Sequence, residues 1–295
     1  MPRDLIIINP RSNTGKAVQN IHAALGRSPK NVRRYYDNAT KIILRPDQTM
    51  ENPEVVAAFR KHNRIFICSG DGTINSLITS LAKHRLLHAV RIGVIPGGFG
   101  NAVAAMLGVD DTIHGLSLLK PLTPARKTDL FATNVPSVPY ITFCAGVGLE
   151  GEIVKTRQKT KHLSGLSYFI AGMTEVFRHK PGRFKLKIDD RSKVSVLASS
   201  IMIANGPFYG LAKAAPRARI DDGLMDVRVF NQNLDFVLNL QPRHLNLYPV
   251  DNLSQMDIRA KRLRIKGKFS LQIDGDPVAI EGPFETWVLP RKVNY

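Results

Sequence analysis

The first 120 or so residues repeat one unit four times: a short apolar run, a polar or glycine-rich loop, then a helical pattern. DLIIINP leads into RSNTGKA and a helix from about Val18, and KIILRP precedes ENPEVVAAFRKH. RIFIC precedes SGDGT and INSLITSLAKH, and RIGVIP precedes GGFGN and AVAAMLG. Strand, loop and helix in steady alternation predict a doubly wound, mostly parallel α/β sheet. After Pro121-Leu122-Thr123-Pro124 the rhythm changes. Candidate strands then dominate: KTDLFAT, YITFCAG, RFKLKID, KVSVLASSIMIANG, LMDVRVF, KRLRIKG, FSLQID and ETWVLP, interrupted by one helical segment, SGLSYFIAGMTEVFRH. This predicts a second, antiparallel β-rich domain. The expected boundaries are 1–125 for the α/β domain and 126–284 for the β-rich one, with the tail 285–295 free to rejoin the first.

A chain of 295 residues, 43% of them apolar, can bury an ordinary core. Its two cysteines, Cys68 and Cys144, sit in apolar runs, too few for a disulfide framework or a zinc site. A reducing, cytoplasmic compartment is expected. Met1-Pro2-Arg3-Asp4 leads into only five apolar residues, unlike a secretory leader, and no run of apolar residues is long enough to span a bilayer. Forty-two Lys and Arg against 24 Asp and Glu leave a net charge of +18, which favours anionic partners. The excess is uneven: Lys155 to Lys193 holds eleven basic residues against Glu175, Asp189 and Asp190. No zinc-finger, basic-zipper or RNA-binding signature accompanies it, so nucleic acid is not the expected partner.

In an open parallel sheet, ligands bind where strand C-termini open into loops. Two of the four such loops are glycine-rich, Ser69-Gly70-Asp71-Gly72-Thr73 and Pro96-Gly97-Gly98-Phe99-Gly100-Asn101. Glycines let amide N–H groups face a concavity, and a helix N-terminus adds partial positive charge, a combination that suits phosphate. Thr73 and Asn75 could cap the helix or donate to a ligand. Asp71 could serve a metal, take a proton, or cap the helix that follows it. No GxxxxGK[ST] loop occurs, since NTGKA lacks its first glycine and the hydroxyl after lysine. The one GxGxxG, Gly146 to Gly151, lies in the β-rich half without an acid placed to hold a ribose, and fits close packing or a substrate-side turn.

Five segments in order carry a resemblance: INPRSNTGKA, SGDGTIN, IPGGFGNAVA, IANGPFYG with RARIDDGLMDVRVF, and QIDGD. Together they resemble the diacylglycerol kinase catalytic-domain family, which includes bacterial lipid kinases and sphingosine kinases and is similar in fold to NAD kinases. The resemblance runs from Ile6 to about Pro290. It implies an ATP-dependent kinase for a lipid hydroxyl, with a nucleotide domain, a β-sandwich-like domain and an active site in the cleft between. By position, the resemblance assigns the nucleotide to Asn9, Ser69, Gly70, Asp71, Gly72, Thr73, Asn75, Gly98, Phe99, Gly100 and Asn101. Asp71 then lies beside the phosphates, serving Mg²⁺ or a proton. It also implies a structural Mg²⁺ held by the carbonyls of Arg219 and Leu224 and the side chain of Asp222, with Asp221 and Asp226 nearby. From the residues alone, DDG before LMDVRVF is a turn into a strand.

The family's general base is the Glu of an Asp-Gly-Glu motif, and this chain has Asp274-Gly275-Asp276, one methylene shorter. Asp276 and Asp71 are the two candidate catalytic carboxylates, and Asp-Gly is also a strong hairpin turn pair. Phe99 stands where the family has a hydroxyl; losing a charge-assisted hydrogen bond there would cost about 1.5–3 kcal/mol. Ala102 and Ser69 lean toward the sphingoid branch, and Glu150 occupies the place of a substrate-side acid in some eukaryotic members. The expected partners are a lipid substrate and an anionic membrane surface, held peripherally. The alternatives are a regulator that binds nucleotide or lipid without catalysis, and a kinase of a soluble hydroxyl compound. The sequence leaves the acceptor and the oligomeric state open.

Overall fold

The computed structural model describes residues 4–98, 100–121, 123–159, 173–210, 212–240 and 253–295. The chain divides into two compact units, Met1–Thr128 with Arg291–Tyr295, and Asp129–Pro290.

The first unit contains β1 (Asp4–Ile8), α1 (Ala17–Arg27), α2 (Lys30–Asn38), β2 (Thr40–Ile43) and α3 (Pro53–Lys61). It continues with β3 (Arg64–Ser69), α4 (Asp71–Lys83), β4 (Arg91–Pro96), α5 (Ala102–Met106) and α6 (Thr112–Ser117). Its four strands form a parallel sheet in the order β2-β1-β3-β4. Leu5, Ile6, Ile7 and Ile8 are all buried, the unbroken apolar run that a parallel strand covered on both faces requires. Ile6 and Ile8 join Ile21, Ala24, Val32, Tyr36, Phe66, Ile95 and Leu116 in one cluster. Helices α2 and α6 are short. Only Val32 and Tyr36 are buried on α2, and α6 has six residues, started by the Asp111 carboxylate accepting the His114 N–H at 2.7 Å.

The strands from Lys127 onward are β5 (Lys127–Thr133), β6 (Tyr140–Ile141), β7 (Cys144–Gly148), β8 (Gly182–Ile188), β9 (Ser192–Ala198) and β10 (Ser200–Ala204). They continue with β11 (Met225–Phe230), β12 (Met256–Ala260), β13 (Arg262–Lys266), β14 (Leu271–Ile273), β15 (Asp276–Val278) and β16 (Phe284–Asn294). Between them lie α7 (Leu149–Lys159), a helical segment at 173–178 (α8) and α9 (Asn233–Asn239). The strands make two six-stranded sheets, β6-β5-β16-β13-β8-β9 and β12-β11-β10-β7-β14-β15. Phe131, Phe184, Leu186, Leu263, Ile265 and Phe284 of the first face Val147, Ile201, Ile203, Val227, Val229 and Leu271 of the second across one apolar core, a β-sandwich. The fold is therefore a parallel α/β domain followed by an antiparallel β-rich one.

Two expected strands are each two. YITFCAG breaks after Ile141, with β6 in one sheet and β7 in the other. KVSVLASSIMIANG breaks at Ser199, which is fully buried and whose N–H donates to the Phe230 carbonyl at 2.7 Å. β9 stays in one sheet and β10 enters the other. The small residues Ala198-Ser199-Ser200 let the chain turn there, and an unbroken apolar pattern gives no sign of the change of sheet. Most of the expected helix SGLSYFIAGMTEVFRH lies outside the described residues.

Candidate active site

The loops after β1, β3 and β4 emerge at the C-terminal end of the parallel sheet and are bonded to one another. The Asn9 side chain donates to Thr73 Oγ1 at 2.9 Å and accepts from the Arg11 N–H at 3.1 Å. The Ser12 and Ser69 hydroxyls lie 2.7 Å apart, and the Gly70 N–H donates to Ser12 Oγ at 3.4 Å. The Gly97 N–H donates to the Ser69 carbonyl at 3.1 Å. Asp71 is the first residue of α4, yet its carboxylate accepts the N–H groups of Ala102 at 3.0 Å and Val103 at 2.9 Å, the start of α5. An acid at that point satisfies donors that the first turn of a helix leaves free. Asp71 therefore ties the second glycine loop to the first.

The glycines have a reason in this stitching. A Cβ built on Gly98 would sit 2.4 Å from the Gly70 Cα, so the two loops meet backbone to backbone. Asn101 closes the second loop in the left-handed region, at φ +49°. Its Oδ1 accepts the Gly98 N–H at 2.8 Å and its Nδ2 donates to the Gly98 carbonyl at 2.9 Å. Gly72 is exposed on the first turn of α4, and Asn75 Oδ1 accepts from the Thr79 hydroxyl at 3.3 Å. Gly100 is partly exposed, and Phe99 lies outside the described residues. Asn9, Ser69, Gly70, Asp71, Thr73, Gly98 and Asn101 are thus brought into one network. A cavity of about 140 Å³ in the same unit, lined by Arg64, Phe66, Gly93 and Arg126, lies toward the opposite, N-terminal ends of β3 and β4.

In the second unit, Asp274 and Gly275 form the turn between β14 and β15, at φ +49° and +86°. Positive φ at both central residues marks the tight hairpin turn for which Asp-Gly is suited. The buried Asp274 carboxylate accepts from the Thr142 N–H (2.7 Å), the Thr142 hydroxyl (2.6 Å) and the N–H groups of Phe143 and Cys144 (3.0 Å each). Burial raises its pKa, against the pull of these donors. Asp276 opens β15 and is exposed.

Glu150 is 1% exposed, and burial pushes its pKa up to about 8 against hydrogen bonds from Gln272 and Tyr209. Gln272 also accepts the Gly275 N–H at 2.8 Å, linking Glu150 to the hairpin turn. A Cβ on Gly146 would lie 2.0 Å from the Glu150 carboxylate, so the first glycine of the GxGxxG makes room for it. Sequence reasoning placed Glu150 only by family position; the signal for its burial was its place between the apolar strand CAGVG and the small residue Gly151.

The loop at 219–226 offers oxygen donors of the kind a hard divalent cation takes. Asp222 accepts the Leu224 N–H at 3.1 Å through Oδ1 and pairs with Arg259 through Oδ2. The Asp129 carboxylate accepts the Gly223 N–H at 2.6 Å. Asp226 lies 3.5 Å from the Arg259 guanidinium, and its buried Oδ2 has no hydrogen-bond partner among the described residues. Burial, opposed by Arg259 and reinforced by Asp222 and Asp257, raises the Asp226 pKa to about 6. Arg219 is exposed, with its guanidinium 3.7 Å from Asp221. Among the described residues no three acids, histidines or cysteines gather as a metal cluster. The donor chemistry fits Mg²⁺, but Arg259 already supplies positive charge to two of the carboxylates.

A parallel sheet whose glycine loops are bonded at its C-terminal end, followed by a β-sandwich, defines a class of α/β-plus-β proteins. Residues 3–132 match the model for the diacylglycerol kinase catalytic domain, and residues 144–294 match the YegS C-terminal NAD kinase beta sandwich-like domain. The chain belongs to the diacylglycerol kinase catalytic-domain family. It is 26% identical over 299 residues to the diacylglycerol kinase of Bacillus subtilis (strain 168), covering 94% of this chain and 93% of that protein. The crystal structure of a diacylglycerol kinase from Bacillus anthracis str. Sterne superposes with a TM-score of 0.71 at 17% identity, over 99% of this chain and 96% of that one. An NAD kinase from Archaeoglobus fulgidus in complex with ATP shares the fold more distantly, with a TM-score of 0.53 at 11% identity over 99% and 92% of the two chains.

Proposed function

We propose that the protein is an ATP-dependent lipid kinase that passes the γ-phosphate of ATP to the hydroxyl of a diacylglycerol-, sphingoid- or phosphatidylglycerol-type lipid. The observation that carries this is the bonded set of loops after β1, β3 and β4, in a chain whose residues 3–132 match a lipid-kinase catalytic domain. Rigid loops hold amide N–H groups in fixed directions, and phosphoryl transfer rests mainly on positioning and charge stabilisation. In this reading Ser69, Gly70, Gly72, Thr73, Asn75, Gly98, Phe99, Gly100 and Asn101 border the phosphates, with Asn9 bracing Thr73. Asp71 acts by holding the two glycine loops in register. Asp276 accepts the proton of the lipid hydroxyl as its oxygen bonds to the γ-phosphorus and the bond to the bridging oxygen of ADP breaks.

Mg²⁺ bound with the nucleotide would neutralise charge on the phosphate oxygens. A second Mg²⁺ at the 219–226 loop would be held by the carbonyls of Arg219 and Leu224 and by Asp222, and Asp226, with its unsatisfied oxygen, is the carboxylate placed to assist. No described helix is long and apolar enough to cross a membrane. In this reading the enzyme acts on its substrate from the surface of an anionic bilayer, in the cytoplasm. The test is transfer of labelled γ-phosphate into a lipid extract held in detergent micelles with Mg²⁺. A labelled lipid supports the reading, and label found only in water-soluble products overturns it.

A further inference from the structure

The outer face of the β6-β5-β16-β13-β8-β9 sheet carries charges that strand pairing alone disfavours. On β8, Arg183, Lys185 and Lys187 alternate with Phe184 and Leu186, which are buried in the sandwich core. The register sets Lys187 opposite Lys193 of β9, and sets Lys185 opposite Lys266 and Lys187 opposite Arg264 of β13. Like charges placed directly opposite on one face of a sheet repel. The acids nearby offset part of this. Asp190 pairs with Lys187 at 2.6 Å and Arg262 at 3.6 Å, and Glu285 pairs with Arg262 at 3.3 Å and Arg264 at 3.1 Å. Arg183, Lys185, Lys193 and Lys266 have no acidic partner among the described residues.

Among the described residues, Arg183, Lys185, Lys193, Ser195 and Lys266 of this face are exposed, whereas the outside of the other sheet is covered. Leu149, Met202, Phe230 and Phe236 pack α7 and α9 onto the outside of the β12-β11-β10-β7-β14-β15 sheet. Over β8, β9 and β13 there is instead a concavity of about 590 Å³ bordered by Lys185, Lys187, Lys193, Ser195, Arg264 and Lys266. Apolar groups stand at its margins. Leu197, opposite Arg183, is 55% exposed, and Trp287, opposite Arg262, has that guanidinium 5.8 Å from its ring.

We propose that this face is the surface on which the protein docks to an anionic lipid bilayer. The proposal rests on the lipid-kinase reading, because an enzyme whose acceptor resides in a bilayer must reach one. A plane of anionic headgroups meets three cationic strands at once and removes the repulsion between them. Lysine, a hydrated point charge, suits dispersed headgroups, and a Trp and a Leu at the margin suit the water–hydrocarbon boundary. A single-stranded nucleic acid would call for aromatic stacking platforms among the cations. Trp287, at the edge, is the one aromatic ring on this face of β8, β9, β13 and β16.

The test is sedimentation with vesicles rich in phosphatidylglycerol against vesicles of phosphatidylcholine alone, on the native chain and on a Lys185→Ala, Lys193→Ala, Lys266→Ala triple variant. Each basic residue near such a surface multiplies partitioning by about five, so the triple variant should lose on the order of 100-fold. Its melting temperature should stay level or rise, since repulsion is removed, and its lipid phosphorylation in non-ionic micelles should match the native rate. Anionic-vesicle binding by the triple variant as tight as the native chain's would overturn the proposal. So would native binding that does not depend on phosphatidylglycerol, or tighter binding to single-stranded RNA that the triple variant loses. Vesicle binding that behaves as expected beside micelle assays with no lipid product would uphold the surface and overturn the kinase reading instead.

Discussion

Asp274 and Asp276 stand two residues apart and end in opposite surroundings. Asp274 is buried under four donors from Thr142, Phe143 and Cys144, and its work is to anchor the hairpin turn. Asp276 is exposed, the one of the two with a carboxylate open to an incoming hydroxyl. General-base groups contribute about 10²–10⁴-fold. Asp276→Asn should therefore lower kcat by that range while leaving KM for ATP unchanged, and Asp276→Glu should keep activity. Steady-state kinetics in micelles check both. A second residue-scale prediction concerns Glu150, whose pKa burial lifts from 4.5 to about 8. Between those values the unfolded chain has released a proton that the folded chain keeps. Stability therefore falls as pH rises through that window and levels off above about 8. Glu150→Gln should flatten the slope and stabilise the protein at high pH by up to about 5 kcal/mol. Urea midpoints from acid to alkaline pH measure it, and parallel curves for native and variant would contradict it.

At the scale of elements, the loops after β1, β3 and β4 behave as one part. Gly98→Ala drives a methyl to 2.4 Å from the Gly70 Cα, so the loops must separate. The expected result is a loss of about 1–3 kcal/mol in stability together with weakened ATP binding, read by thermal melts and calorimetry. Asp71→Ala leaves the Ala102 and Val103 N–H groups unsatisfied and should cost about 1–2 kcal/mol, the loss of a helix cap. The sequence showed these elements unevenly. β3 and β4 and the glycines after them were legible because an apolar run leading into glycine has few other uses, and β1 by its unbroken apolar run. The partner of each glycine was not: the contact of Gly70 with Gly98 spans 28 positions, and no local pattern encodes it. For the same reason Asp71 could be expected to cap α4, its own helix, when it caps α5 instead. β12 and β15 were not legible because MDIRA and DPV are short and half-exposed, the second also holding a proline, and α7 was hidden behind a GxGxxG that suggested only a turn.

The whole molecule carries +18, and its basic residues are concentrated rather than diluted. The stretch from Lys155 to Lys193 pointed to an anionic surface, but only the fold pairs Lys185 and Lys187 with Arg264 and Lys266, some 80 positions later. A surface built this way is screened by salt. Raising ionic strength from 0.1 to 1 M shrinks the screening length from about 10 Å to about 3 Å and should release the protein from anionic vesicles. Catalysis in non-ionic micelles should change far less, because no charged lipid surface has to be held there. The most direct measurement is transfer of labelled γ-phosphate from ATP, with Mg²⁺, to diacylglycerol, sphingosine and phosphatidylglycerol presented separately in such micelles. A labelled product from one of these lipids, reduced at least about a hundredfold by Asp276→Asn while ATP binding persists, is the predicted result. ATP binding with no lipid labelled, or labelling that Asp276→Asn leaves at the native rate, would contradict it.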